Sequence, residues 1–86
     1  MLLAWTPQAW EDYLYWQRTD KKILKRVNEL IRDALRDPCS GLGKPVALKF
    51  DLGGCWSRRV DLTHRLVYRV DEAAGALVVL QCRYHY

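Results

Sequence analysis

No stretch of this chain approaches the ~20 consecutive apolar residues of a membrane-spanning helix. Its opening residues, Met1-Leu2-Leu3-Ala4-Trp5-Thr6-Pro7, have neither the basic lead nor the apolar length of a secretory signal. A cytoplasmic protein without membrane association is expected. Cysteine is scarce and odd in number: Cys39, Cys55 and Cys82 form no C-x-x-C pair and have no histidine-rich neighbourhood. That argues against both a disulfide framework and a zinc site. No metal and no cofactor are expected.

What is present is apolar and aromatic. Half of the 86 residues are hydrophobic, with four Trp and five Tyr, which removes the chain from the disordered class. The length fits a single domain, residues 1–86. A domain of this size buries only roughly 60–65% of its unfolded surface, so a large ligand must bind on the outside. Charge is uneven: residues 1–43 hold 7 basic and 6 acidic groups, residues 44–86 hold 7 and 4. The basic excess lies in the half that also carries both histidines, which favours an anionic partner.

Residues 2–5 read as a short strand. Thr6-Pro7 then opens a helix, Thr as its cap and Pro in its first turn. Trp10, Tyr13, Leu14 and Gln17 recur at spacings of three and four and predict the buried stripe of that helix. Thr19-Asp20 caps a second helix, with Ile23, Val27, Leu30, Ile31 and Ala34 on one face and Lys21, Lys25, Arg32 and Arg36 away from it. Asp37-Pro38 ends it, and Ser40-Gly41-Leu42-Gly43-Lys44-Pro45 reads as a loop. Four strands are expected after the loop, at 46–51, 55–61, 65–70 and 76–86. The order β-α-α-β-β-β-β predicts an α+β fold, an antiparallel sheet with both helices on one face.

Strand alternation sorts side chains into two sheet faces. Even positions, Trp56, Val60, Leu66, Tyr68, Val70, Val78, Leu80, Cys82 and Tyr84, predict the face packed on the helices. Odd positions, including Ser57, Arg59, Asp61, Arg65, Val67, Arg69, Gln81, Arg83 and His85, predict an open basic face. Arg58 breaks the pattern as an arginine on the apolar side.

The mixture of arginine, histidine and aromatic rings in Trp56-Ser57-Arg58-Arg59, His64-Arg65-Leu66-Val67-Tyr68 and Arg83-Tyr84-His85-Tyr86 suits an extended polyanion with stackable bases. RNA cleavage by ribose 2′-OH attack needs a base for that hydroxyl, cations around the phosphate and an acid for the departing 5′ oxygen. Arg59, Arg65 and Arg83 can supply cations and His85 the acid, while Tyr84 or Tyr86 can stack on a base. No base is obvious. His64, at a hairpin loop, suggests turn or dimer contacts, and Ser57 has no sign of a His-Asp relay.

The segments Asp12-Tyr13-Leu14-Tyr15-Trp16-Gln17, Gly43-Lys44-Pro45, Leu48-Lys49, Trp56-Ser57-Arg58-Arg59, His64-Arg65-Leu66-Val67-Tyr68 and Cys82-Arg83-Tyr84-His85-Tyr86 resemble the YoeB toxins of the RelE superfamily, in register from about Trp5 to Tyr86. The resemblance implies a twisted antiparallel sheet with two helices on one face. It also implies a small bacterial toxin, neutralised by a YefM-type antitoxin, that binds the ribosomal A site and cuts the mRNA there. It makes His85 the general acid, Arg65 the phosphate and transition-state contact, Arg59 and Lys49 further phosphate contacts, and Tyr86 the terminal aromatic of the site. A homodimer is implied too, with operator DNA reached only through the antitoxin complex.

The family carries a glutamate after Gly-Lys-Pro that acts as general base. This chain has Val46 there. Valine accepts no proton, and general-base assistance is worth ~10²–10⁴ in rate, so an attenuated nuclease is expected. Asp51 and Asp61 are the candidate substitutes. The competing expectations are an inactive protein that binds the ribosome or only an antitoxin, and a nuclease acting on free nucleic acid.

Overall fold

The computed structural model describes residues 1–85; Tyr86 and the side chain of Asp51 lie outside that description. Strand β1 (Leu2–Trp5) is followed by helices α1 (Pro7–Thr19) and α2 (Lys21–Arg36). Strands β2 (Val46–Ala47), β3 (Cys55–Arg59), β4 (Arg65–Asp71) and β5 (Ala76–Gln81) come next, with a 3-10 turn at Phe50–Leu52 between β2 and β3. Among the described residues no helix is long and apolar enough to cross a membrane.

Caps set the helix boundaries. Thr6 Oγ1 accepts the Ala9 N–H at 3.1 Å, and Pro7 occupies the first turn, where its missing donor costs nothing. Asp20 serves both helices: its N–H donates to Trp16 O to close α1, and its carboxylate accepts the Lys22 and Ile23 N–H groups to open α2. One residue therefore turns the chain between the helices. As the periodicity predicts, α2 buries Val27, Leu30, Ile31 and Ala34 against the sheet, each large side chain contributing about 1.5–3 kcal/mol.

The buried stripe of α1 differs from the expected one. Ala9, Asp12 and Trp16 are buried, whereas Trp10 and Gln17 face outward. The cause is Asp12, a polar residue on the inner face that the hydrophobic pattern passes over. Its Oδ2 accepts the buried Cys82 N–H at 3.1 Å and its Oδ1 accepts Gln8 Nε2 at 2.9 Å. Trp16 Nε1 donates to Cys82 O at 2.9 Å, so α1 holds both the backbone N–H and the carbonyl of Cys82 at the end of the sheet.

The sheet order is β1-β5-β4-β3-β2. The run β2 to β5 is antiparallel as expected, but β1 lies parallel to β5, Leu2 opposite Ala76 and Trp5 opposite Val79, which makes the sheet mixed. Both helices pack on one face. Strand β2 is two residues long rather than six, because Phe50 takes a left-handed φ of 59° and the 3-10 turn replaces the ladder. Strands β3 and β5 stop at Arg59 and Gln81, short of 61 and 86, while β4 runs one residue longer than expected.

A β-bulge corrects the face assignment in β5. Val67 pairs with Gln81 but Tyr68 with Val79, so Leu80 is an extra residue and the parity inverts across it. Leu77 and Val79 therefore lie in the core beside Leu66 and Tyr68, in place of the expected Val78 and Leu80. The Leu80 carbonyl accepts the Thr6 hydroxyl at 3.1 Å, tying the bulge to the start of α1.

Candidate active site

The open face of the sheet is built from cross-strand pairs, whose side chains project together. Val46 is opposite Ser57, Ser57 opposite Val67, and Val67 opposite Gln81, forming one uncharged row. Ser57 and Val67 are buried even though the helices lie on the other side. In the next row, toward the β3–β4 hairpin, Arg59 faces Arg65 directly. Two like charges opposite one another are unfavourable in isolation, and a bound anion would offset their repulsion. Cys55 and Arg69 form the row on the other side, and Arg69 Nη1 lies 3.7 Å from Asp71 Oδ2.

Each arginine of the pair is seated by backbone. Arg65 Nη1 donates to Asp61 O at 2.8 Å and to His64 O at 3.0 Å, which orients its guanidinium over the hairpin. The Arg59 N–H donates to Gly43 O at 2.7 Å and its carbonyl accepts Arg26 Nη2 at 3.3 Å. Gly43 has φ +78°, and a Cβ there would stand 2.8 Å from Leu30 Cδ2 and 3.1 Å from Arg59 O. Only glycine lets the Gly43-Lys44-Pro45 segment press against β3 and deliver Val46 to the row beside Arg59.

The C-terminal tail reaches the same place. The Tyr84 N–H donates to His64 Nδ1 at 2.7 Å, and the Tyr84 carbonyl accepts the Arg65 N–H at 3.0 Å. His85 follows immediately and is exposed. The structure thus brings Arg59, Arg65, Val46 and the His85 backbone to one region. Lys49, exposed at the start of the 3-10 turn, belongs to the loop after β2. Tyr86 lies outside the described residues.

Arg83 departs from the expected basic face. Tyr84 adopts a left-handed φ of 67°, which ends strand alternation, and the Arg83 guanidinium lies 3.5 Å from the centre of the Tyr15 ring on α1 and 4.5 Å from that of Tyr84. It is a cation–π contact holding the tail to the helix. Of the two substitute bases, Asp61 is engaged: its Oδ1 accepts the Thr63 and His64 N–H groups at 2.8 and 2.6 Å. Although burial pushes its carboxyl up, these bonds and the neighbouring Arg65 leave it below the usual range, which makes it a weak base. The Asp51 side chain lies outside the described residues. Burial, followed by the Asp12 carboxylate, pushes the Cys82 thiol up to about 12, so it is not a nucleophile.

Residue patterns flagged Arg58 without a role. Its guanidinium is fully buried, and Nε donates to Tyr68 Oη, Nη1 to Asp33 Oδ2 and Leu42 O, and Nη2 to Asp37 O and Ser40 O. These acceptors match the five N–H donors of arginine. The loop after α2 is wrapped around this cation and thereby anchored to the strand that carries Arg59.

The model of the YoeB-like toxins of bacterial type II toxin-antitoxin systems matches residues 5–86. The chain belongs to that family. Toxin YoeB of Escherichia coli K12 is 54% identical over 86 residues, all of both proteins. A YoeB/ParE toxin structure from Agrobacterium tumefaciens is similar at TM-score 0.97 and 52% identity, with 100% of both chains covered. Two Staphylococcus aureus structures, a YoeB dimer and a heterotetrameric YoeB–YefM complex, superpose at TM-scores of 0.90 and 0.89. Both are 44% identical and cover the whole of this chain and 98% and 99% of theirs. The YoeB-like match runs from Trp5, the last residue of β1, and takes in every segment of the site, and the α+β architecture is that of these toxins.

Proposed function

We propose that this YoeB-like toxin is a ribosome-dependent endoribonuclease that cuts mRNA in the A site and so stops translation. The Arg59–Arg65 cross-strand pair carries the reading: two cations share one side of the open face, at the point where the tail delivers His85. Arg65 and Arg59 bind the scissile phosphate and the charge that grows on it as the ribose 2′-OH attacks. Lys49 holds the neighbouring backbone. His85 protonates the departing 5′ oxygen, and Tyr86 stacks at the site, worth ~1–3 kcal/mol. Val46 contributes no base, so proton removal from the 2′-OH is slow. The partners are a YefM-type antitoxin, a second copy of the chain, and operator DNA through the antitoxin complex. The S. aureus dimer and YoeB–YefM structures support the first two.

Primer extension on mRNA programmed into bacterial ribosomes tests the reading. Cuts in the A-site codon that strengthen ~10²-fold or more in Val46→Glu and vanish in His85→Ala are expected. A second reading, a ribosome- or antitoxin-binding protein without chemistry, is favoured by two observations: Val46 cannot accept a proton and Asp61 is tied to its own turn. Arrested ribosomes bearing uncut mRNA would establish that reading in place of the first.

A further inference from the structure

The C-terminal tail has a polar or ring contact at every residue up to the one that carries the proposed acid. Cys82 is bonded to Asp12 and Trp16, and the Arg83 carbonyl accepts Gln81 Nε2 at 3.2 Å while its guanidinium stacks on Tyr15. Tyr84 then turns into the left-handed region, φ 67°, a conformation that a tyrosine keeps only when its surroundings over-determine it. Two bonds impose it, from the Tyr84 N–H to His64 Nδ1 at 2.7 Å and from the Arg65 N–H to the Tyr84 carbonyl at 3.0 Å.

His64 is itself locked. Its N–H donates to Asp61 Oδ1, and its carbonyl accepts the Val60 N–H and Arg65 Nη1. Its ring stands edge-on to Trp16 with centroids 4.8 Å apart. One imidazole therefore joins three parts of the site: the hairpin that orients Arg65, the helix that holds Cys82, and the peptide that leads into His85. Accepting at Nδ1 requires the neutral ring with its proton on Nε2.

We propose that His64 is a positioning residue for the nuclease reaction. It holds the Tyr84 N–H so that the tail turns back onto Arg65 and places His85 beside the Arg59–Arg65 pair. The proposal rests on the nuclease reading above for its catalytic part. It does not make His64 an acid or base. The role belongs to Nδ1 as a hydrogen-bond acceptor, with the ring's contact to Trp16 as the means of aiming it.

Two substitutions separate the acceptor from the ring. His64→Phe keeps the ring on Trp16 and loses the acceptor. His64→Asn keeps an acceptor near the Nδ1 position and loses the ring. Amide hydrogen exchange of Tyr84 is measured by NMR, with the Leu77 amide as folding control, alongside kcat and KM for A-site cleavage. In His64→Phe, Tyr84 exchange is expected to rise about tenfold and kcat to fall about tenfold, the loss of one hydrogen bond. KM stays within about threefold, and Leu77 protection is retained. His64→Asn is expected to recover most of both.

Tyr84 protection unchanged in His64→Phe would overturn the tether. Faster Tyr84 exchange with unaltered kcat would overturn its catalytic role. A parent chain that cuts no mRNA would sink the nuclease reading and the catalytic part with it, and the exchange data would still decide the tether. Should His64→Phe lose Leu77 protection, the decision passes to His64→Asn, where kcat no better than that of His64→Ala overturns the proposal.

Discussion

Arg58 Nη1 meets Asp33 Oδ2 at 2.5 Å, joining the centre of β3 to the last turns of α2. The arginine is fully buried and the carboxylate lies nearer the surface, where Arg36 Nη2 also reaches it at 3.1 Å. A buried cation is costly unless each donor is matched. Here the Tyr68 hydroxyl and the loop carbonyls of Asp37, Ser40 and Leu42 complete the set. The pair therefore organises the loop that leads to Gly43 and Val46.

Arg58→Ala leaves those carbonyls and the Tyr68 hydroxyl short of a donor and empties a large volume. It is expected to cost about 3–5 kcal/mol, much of the 5–15 kcal/mol that stabilises a typical domain. Arg58→Lys, with three donors on a flexible stem, recovers only part. Urea unfolding monitored by tryptophan fluorescence checks both, and a midpoint within error of the parent would contradict the role given to the network.

Asp33 gives the fold an acid limb. The Leu42 N–H, and after it the Arg58 guanidinium, hold its carboxyl at about 2 against an ordinary 3.8. Because the folded value is depressed, the unfolded chain takes up the proton first. The contribution is complete above pH 3.8 and is lost as pH falls from there to about 2. The melting temperature should drop through that window, and less steeply in Asp33→Asn. Equal slopes for the two proteins would remove Asp33 from the account.

Gly43→Ala combines a left-handed φ with overlap against Leu30 and the Arg59 carbonyl. The expected cost is about 2 kcal/mol or more, read as a lower unfolding midpoint. The overlap also displaces Arg59, so A-site cleavage should fall by more than the folded fraction does. Loss confined to stability would show that the Gly43–Arg59 contact does not serve the site.

Arg59→Ala is expected to remove a phosphate contact without touching the core, since Arg59 is exposed. Binding is measured on ribosomes programmed with an A-site codon whose 2′ hydroxyl is absent. The variant should bind more weakly at every salt concentration, and the slope of log K against log salt should shrink by about 0.7. An unchanged slope would place Arg59 outside the RNA contact.

Much of this was legible because it is local. The Thr6-Pro7 and Asp20 signals sit within a few residues of the helices they bound, and the α2 stripe from Val27 to Ala34 is a periodicity that one helix expresses by itself. The Arg59 and Arg65 faces follow from alternation within β3 and β4. Reading failed where a distant partner overrules a local pattern. Asp12 turned the α1 stripe because its carboxylate serves Cys82, and the Leu80 bulge inverted β5, an event that no single strand announces.

By itself, then, the sequence determined the order of elements, the helix limits, the basic excess of the second half and the family to which its motifs belong. It also set Val46 where the resemblance implies a glutamate. Only the tertiary structure decided that β1 runs parallel to β5, that Arg58 is an interior cation whose five donors are matched, that Arg83 turns to Tyr15, and that His64 holds Tyr84. The physical reason is the range of the interactions. Caps and periodicity are settled within one or two turns of chain. A buried charge or a strand register is settled only when groups far apart in sequence meet at hydrogen-bond distance, which composition and spacing do not encode.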